Sequence, residues 1–196
     1  MILPTKGGDG ELIRIGGGRA KGRLLKAPRA GRFTLGRVKQ TLFDILSWQV
    51  PESRFLDIFA GSGAMGIEAL SRGAQRAIFI ESKAAHAALI RENLARCGFE
   101  EQAEVICAEA SRGLELLARK NESFQIIFLD PPYTNPTLLA RTLERLALEE
   151  NLLAPEGMIV VQRAQRAAIK YLPAALELYD SRRLGDSVLD FIVRRR

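Results

Sequence analysis

An α/β fold with a doubly wound, mostly parallel sheet, an antiparallel C-terminal strand and a small N-terminal basic β-hairpin arm is predicted by three features of the 196-residue chain. After Pro51, short apolar runs recur at helix-length intervals. The last two runs lie too close together for a helix to separate them, and a glycine-rich basic segment precedes the first. A hydrophobic content of 47% with 27% charged residues suits an ordinary globular domain. No apolar run approaches the roughly 20 residues of a membrane span, so no membrane partner is expected. The start of the chain lacks the charged head and apolar stretch of a secretory signal, and the expected location is cytoplasmic.

Leu12-Ile13-Arg14-Ile15 and Arg23-Leu24-Leu25-Lys26 flank Gly16-Gly17-Gly18, the pattern of a small hairpin carrying basic side chains. From Gly36 to Trp48, Val38, Leu42, Ile45 and Leu46 fall at helical spacing, leaving Arg37 and Lys39 to point elsewhere. Strands are then predicted at Phe55 to Ala60, Ala77 to Ile80, Glu104 to Cys107, Ile126 to Leu129 and Met158 to Val161, separated by helix-length segments. Such βαβ units make a parallel sheet through right-handed crossovers. Ala175 to Tyr179 and Val188 to Val193 are joined through Gly185-Asp186 and should pair antiparallel. The expected division is residues 1–35 as extension and arm, and 36–196 as the catalytic domain.

Charge and rare residues narrow the function. Residues 1–50 carry a balance of +7 within a whole-chain charge of +6, so the remainder is close to neutral. Nine bases and no acid lie between Leu12 and Phe43, a footprint that favours a polyanion, preferably nucleic acid. Arg182, Arg183 and the terminal Arg194-Arg195-Arg196 could extend that surface. Only Cys97 and Cys107 are present, without metal-ligand spacing, so disulfide and zinc folds drop out and both read as reduced core thiols. The single histidine, His86, rules out a two-imidazole scheme and reads as a helix-surface residue without a partner.

The first strand of the sheet runs into Asp57-Ile58-Phe59-Ala60-Gly61-Ser62-Gly63-Ala64-Met65-Gly66, which contains G-x-G-x-x-G. Glu81 stands 20 residues beyond Gly61, where an acid can accept from ribose hydroxyls. Alone, this pattern fits a dinucleotide as well as other nucleosides. Asp57 discriminates, because its anion would repel a pyrophosphate but favours S-adenosylmethionine, which carries an ammonium and a sulfonium. Asp57, Ala60, Gly61, Ser62, Gly63, Glu81 and Ser82 are the candidate cofactor residues. Glu109 and Ala110, after the third strand, are placed beside the adenine pocket.

The most specific signal is Asp130-Pro131-Pro132-Tyr133 at the end of a buried strand. Two prolines fix the backbone and donate no amide hydrogens, leaving the Pro131 carbonyl as an available acceptor. The Asp130 carboxylate and that carbonyl can accept both hydrogens of an exocyclic amino group, aiming its nitrogen at an electrophilic methyl. Tyr133 can stack on the attached base. Once the amino nitrogen has attacked it becomes acidic, so Asp130 need only stabilise the charge and take or pass on a proton.

With these residues in view, the chain resembles the bacterial small-subunit ribosomal RNA guanine-N2 methyltransferases of the RsmD type. The resemblance covers nearly the whole chain. It runs through Arg19-Ala20-Lys21-Gly22-Arg23, the segment from Arg32 to Leu46, the loop Asp57 to Gly66 with Glu68 to Ala74, and Asp130 to Tyr133. It implies a class I methyltransferase (Rossmann-like) fold with a seven-stranded sheet, S-adenosylmethionine as donor, and a guanine amino group of small-subunit ribosomal RNA as acceptor. It also implies a protein-bound ribosomal particle as the partner, with the enzyme expected as a monomer. Arg32, Thr34 and Arg37 match the family's pattern, whereas Phe33, Leu35 and Gly36 replace its proline, polar residue and acid. Arg19, Lys21, Arg23, Lys26, Arg32, Thr34, Arg37 and Lys39 are the candidate RNA contacts. Three alternatives stay open. They are a DNA adenine-N6 methyltransferase, which lacks room for a target-recognition domain, a nicotinamide oxidoreductase, which leaves Asp130 to Tyr133 unexplained, and a non-catalytic RNA-binding assembly factor.

Overall fold

A computed structural model describes residues 12–28, 36–132 and 135–195. Arg32, Thr34, Tyr133 and the first eleven residues therefore lie outside the described residues. The chain forms β1 (Leu12–Arg14), β2 (Leu24–Lys26), α1 (Gly36–Ile45), β3 (Arg54–Ile58), α2 (Ala64–Ser71), β4 (Arg76–Glu81), α3 (Ala84–Cys97), β5 (Ala103–Cys107) and α4 (Ala110–Arg119). It continues with β6 (Phe124–Leu129), α5 (Pro136–Leu148), β7 (Leu153–Ala164), β8 (Leu176–Leu184) and β9 (Ser187–Arg194). Strands β3 to β9 make one seven-stranded sheet in the order β5-β4-β3-β6-β7-β9-β8. The five strands β3 to β7 are parallel, and β9 lies antiparallel between β7 and β8. The α/β architecture, the parallel strands and the antiparallel C-terminal pair are those expected from the sequence. No helix among the described residues is long and apolar enough to cross a membrane.

The central strands read as largely apolar runs, with Asp57 the buried exception in β3, because both of their faces are covered. Alternate residues Phe55, Phe79 and Phe128 pack on one side with α1, α2, α3 and the hairpin. Leu56, Ile78, Ile80 and Ile127 pack on the other with α4 and α5. At the sheet's two edges the sequence is harder to read. Strand β8 continues past Tyr179, the predicted end, to Leu184, with a register shift at Leu178/Asp180. The polar run Asp180-Ser181-Arg182-Arg183 reads as a loop only because an edge strand offers most of its side chains to water. Cys107 ends the opposite edge strand, β5, and is exposed rather than a core thiol; Cys97 is buried.

The basic hairpin is present, and its apolar side belongs to the same core as the sheet: Ile15 and Leu25 are inaccessible to solvent. Its backbone is held by side chains of α2. The amides of Gly16 and Gly17 each donate to Glu68, both at 2.8 Å, and the Ala20 amide donates to Ser71 Oγ at 2.9 Å. Gly18 has φ +73°, and a Cβ there would lie 1.6 Å from the Ser71 carbonyl oxygen. Gly18→Ala is expected to cost about 2 kcal/mol or more, from left-handed strain and overpacking together. Urea unfolding checks this, and a midpoint equal to that of the wild type would contradict the docking.

Lys39 does not point away from the core, as the sequence reading has it, but under the hairpin. Helix α1 buries Val38, Lys39, Leu42 and Phe43 together, so Lys39 shares the apolar stripe's phase. Its Nζ donates to Glu68 at 2.5 Å and to the Arg14 carbonyl at 2.8 Å, with the residue only 3% exposed. Such a lysine has no face left for RNA, and it is removed from the candidate contacts.

Candidate active site

The strand order reverses around β3, whose neighbours are β4 and β6. A crevice opens at the carboxyl ends of strands at such a switch point. The glycine loop after β3 and the Asp130 loop after β6, 60 or more residues apart in sequence, are therefore brought to one place. A cleft of about 580 Å³ lies there.

The loop that follows β3 is tightly formed. Phe59 and Gly61 have φ of +65° and +56°, and the amides of Phe59 and Ala60 donate to the Ile80 carbonyl. A non-glycine residue in the left-handed region is the kind of local strain that gathers at functional sites. Asp57 Oδ2 accepts from the Gly66 amide at 3.0 Å, satisfying one of the orphan donors of the first turn of α2. Glu81 shapes the other side, with Oε2 accepting from Gly61 N and Oε1 from Lys83 N, both at 2.9 Å. Each of its oxygens keeps a further lone pair for a ligand hydroxyl. Glu109 precedes α4 in extended conformation and does not cap it with its side chain.

Eleven of the expected residues line the cleft: Asp57, Ala60, Gly61, Ser62, Glu81, Ser82, Glu109, Ala110, Asp130, Pro131 and Pro132. Gly63 does not. It starts α2 with φ +76°, and its backbone sits against Ile90, so it shapes the turn from behind. Sequence reasoning missed Phe59, Lys83, His86, and two hairpin-side residues, Ile13 and Pro28. His86 in particular is no plain surface residue. It projects from the first turn of α3 into the cleft, with Nδ1 3.7 Å from Glu81. The available signal was its place in the helix that immediately follows Glu81.

Four carboxyls, Asp57, Glu81, Glu109 and Asp130, share the lining of this cleft with Lys83 and His86. Burial holds the Asp57 carboxyl well above the usual carboxylate range; the Gly66 amide opposes this, while the charges of Asp130 and Glu81 add to it. A site so arranged suits a nucleoside with positive charge and disfavours a pyrophosphate.

Asp130 is half-buried at the end of β6, Pro131 is buried and Pro132 exposed. The Pro132 carbonyl accepts from Asn135 N at 3.1 Å, and Asn135 Oδ1 caps α5 by accepting from Leu138 N at 3.2 Å. Among the described residues, no donor reaches the Pro131 carbonyl. Asp130, Pro131 and Pro132 all belong to the lining of the cleft, and the two prolines make their backbone rigid. An amino group with two hydrogens matches the Asp130 carboxyl and the Pro131 carbonyl as a pair of acceptors.

The basic residues are spread over a greater distance than the sequence suggests. Arg19 lies over the Phe99 ring, 4.4 Å from its centroid, and Arg23 donates to the Arg96 carbonyl near the end of α3. The cleft is at the other end of that 14-residue helix, about 20 Å away at 1.5 Å per residue. Lys21 is exposed on the hairpin's turn, and Lys26, nearer the cleft, pairs with Glu92 at 2.5 Å. Arg37 is exposed on the first turn of α1.

Comparison with known proteins gives concordant matches. The model of a family described as conserved hypothetical protein 95 matches residues 13–193. Ribosomal RNA small subunit methyltransferase D of Escherichia coli (strain K12) is 37% identical over 190 residues, which are 94% of this chain and 91% of that protein. The protein of the same name from Haemophilus influenzae is 37% identical over 164 residues, 82% of each chain. A solved structure of a Thermus thermophilus hypothetical protein superposes with a TM-score of 0.79 at 34% identity, covering 91% of this chain and 98% of its own.

Proposed function

Because the chain belongs to the ribosomal RNA small subunit methyltransferase D family, we propose that it methylates the exocyclic N2 amino group of a guanine in small-subunit ribosomal RNA. The observation that carries this reading is the pairing of Asp130 and the Pro131 carbonyl beside a carboxyl-rich cleft at the sheet's switch point. S-adenosylmethionine is the methyl donor, and it supplies a methyl made electrophilic by an adjacent sulfonium. The residues present fit that group. Glu81 offers acceptors for ribose hydroxyls, Glu109 and Ala110 flank the base, and Asp57 provides negative charge for its cationic end.

Asp130 and the Pro131 carbonyl accept the two amino hydrogens and fix the nitrogen's direction. Attack leaves the nitrogen cationic, and Asp130 stabilises that charge and takes the proton. Tyr133 follows directly in the chain and stacks on the guanine. A guanine paired in an RNA helix must leave its stack to reach this loop. Arg19, Lys21, Arg23, Lys26 and Arg37 hold phosphates, and those at the hairpin's turn touch nucleotides well removed from the target. Residues 36–196 supply catalysis, and the hairpin supplies both a wall of the cleft and the outlying grip.

The pH dependence of donor binding follows from Asp57. A cation beside a carboxyl favours its ionised form, so binding releases protons wherever free Asp57 is partly protonated. Affinity for S-adenosylmethionine is therefore expected to rise with pH until Asp57 is ionised in the free protein. Calorimetry in buffers of different ionisation enthalpy should register proton release, and Asp57→Asn should abolish it. Heats that do not depend on the buffer would contradict this role. The substrate assignment is tested by offering labelled S-adenosylmethionine with small ribosomal subunits lacking the modification, naked ribosomal RNA or duplex DNA. Label entering subunits is the expected result; label entering DNA alone would overturn it.

A further inference from the structure

Asn93, in the middle of α3, is inaccessible to solvent and bonds to two segments far apart in sequence. Its Nδ2 donates to the Lys26 carbonyl and to the Ser62 carbonyl, each at 2.9 Å, and its Oδ1 accepts from the Lys26 amide at 2.9 Å. Both amide hydrogens are thereby used. Towards the hairpin, Asn93 does what another strand would do, pairing with the N–H and the C=O of one residue of β2. Towards the cleft, it holds the glycine loop at Ser62, one residue beyond Gly61, which Glu81 holds.

We propose that Asn93 is a positioning residue that couples the hairpin to the cofactor loop, so that donor binding and hairpin order are thermodynamically linked. The inference rests on the cleft being the S-adenosylmethionine site but needs no assumption about the methyl acceptor. Three observations beyond the hydrogen bonds support it. Ile13 and Pro28, on either side of the hairpin, line the cleft, so the hairpin's position affects the shape of the site. His86 reaches the same cleft from the first turn of α3, the helix that carries Asn93, and lies 3.7 Å from Glu81, which holds Gly61 of the loop. The far end of the hairpin is anchored separately, by Glu68 and Ser71 on α2. Loss of Asn93 therefore severs the link between loop and hairpin without releasing the hairpin from the core. Coupling of this kind is reciprocal: a ligand that orders the loop must also order the hairpin, by the same factor.

The test uses S-adenosylhomocysteine, which binds the donor site and requires no nucleic acid. In Asn93→Ala, its Kd measured by calorimetry is expected to rise about 10- to 100-fold, because buried backbone groups lose their partners. In Ser71→Ala, which loosens the hairpin at its other end but leaves the Asn93 link intact, the Kd should also rise, by a smaller factor than in Asn93→Ala. A second readout separates coupling from a merely structural role. Saturation with S-adenosylhomocysteine should slow hydrogen exchange of the amides of residues 24–26 about fivefold or more in the wild type, and not in Asn93→Ala. Should Asn93→Ala fail to fold, Asn93→Ser, which keeps one hydroxyl donor, takes its place with the same expectations. Wild-type binding that a folded Asn93 variant leaves unchanged would overturn the inference, as would hairpin exchange that the ligand slows equally in both proteins. Absence of binding by the wild type would instead overturn the cofactor assignment on which it rests.

Discussion

Replacing Asp130 with asparagine is expected to slow methyl transfer by about 10²–10⁴-fold, the range for loss of a positioned proton acceptor. The affinity for S-adenosylhomocysteine should change by less than about threefold. The separation follows from where the residue sits. Asp130 ends β6, whereas the groups that form the loop and the ribose side of the cleft, Asp57, Gly61 and Glu81, belong to β3, β4 and the turn between β3 and α2. Asparagine keeps the size and one acceptor but removes the charge that stabilises the alkylated nitrogen, and it turns an amide towards the substrate's own hydrogens. Single-turnover rates on small subunits, set beside calorimetry, give both quantities from one protein preparation. A parallel loss of rate and donor affinity would show that Asp130 supports the cofactor site rather than the acceptor.

The largest effect on stability is expected at Lys39. Lys39→Met removes one partner of a buried ion pair and leaves Glu68 beneath the hairpin with Arg72 and two amides only. Breaking such a pair costs about 3 kcal/mol. For a chain of this size that corresponds to a fall in Tm of roughly 6–12 °C. Burial by itself would raise the Glu68 carboxyl, but the Lys39 charge, the Gly16 amide and Arg72 together hold it below its ordinary value. A carboxyl depressed in the folded state adds stability above its unfolded pKa, and that stability is lost as pH falls through the folded value. The acid side of the wild-type stability profile should therefore be steeper than that of Lys39→Met. Substituting both partners, as Lys39→Met with Glu68→Gln, should recover part of the loss, since the buried carboxylate is gone while an amide oxygen still accepts from the Gly16 and Gly17 amides. A double variant no more stable than Lys39→Met would place the effect in packing instead.

Much of the fold is readable in the sequence because covered parallel strands leave a plain mark. Ile126 to Leu129 must be apolar on both faces, as must Phe55 to Ile58 apart from the site residue Asp57, and the intervening segments have helix length. The cleft is readable for a topological reason: once β3 and β6 flank the switch point, the residues just after them must meet. Charge is different, because counting it reveals nothing of burial. Arg37 and Lys39 look alike in the sequence, yet one is exposed and the other lies in the phase of Val38, Leu42 and Phe43 under a hairpin formed elsewhere in the chain. Glu68 did carry a signal, as the one acid within the apolar α2, but its four partners come from three elements and leave no local spacing to find. Asn93 is harder still. Nothing in α3 marks it out, and its importance exists only where Lys26 and Ser62 come together.

The reaction itself is tested most directly by the identity of the modified nucleoside. Small ribosomal subunits lacking the modification should be incubated with the protein and S-adenosylmethionine, the RNA digested, and the nucleosides separated and weighed. N2-methylguanosine, absent when Asp130→Asn replaces the wild type, is the expected product. N6-methyladenosine, or no methylated nucleoside from a protein that binds S-adenosylhomocysteine tightly, would contradict guanine-N2 transfer.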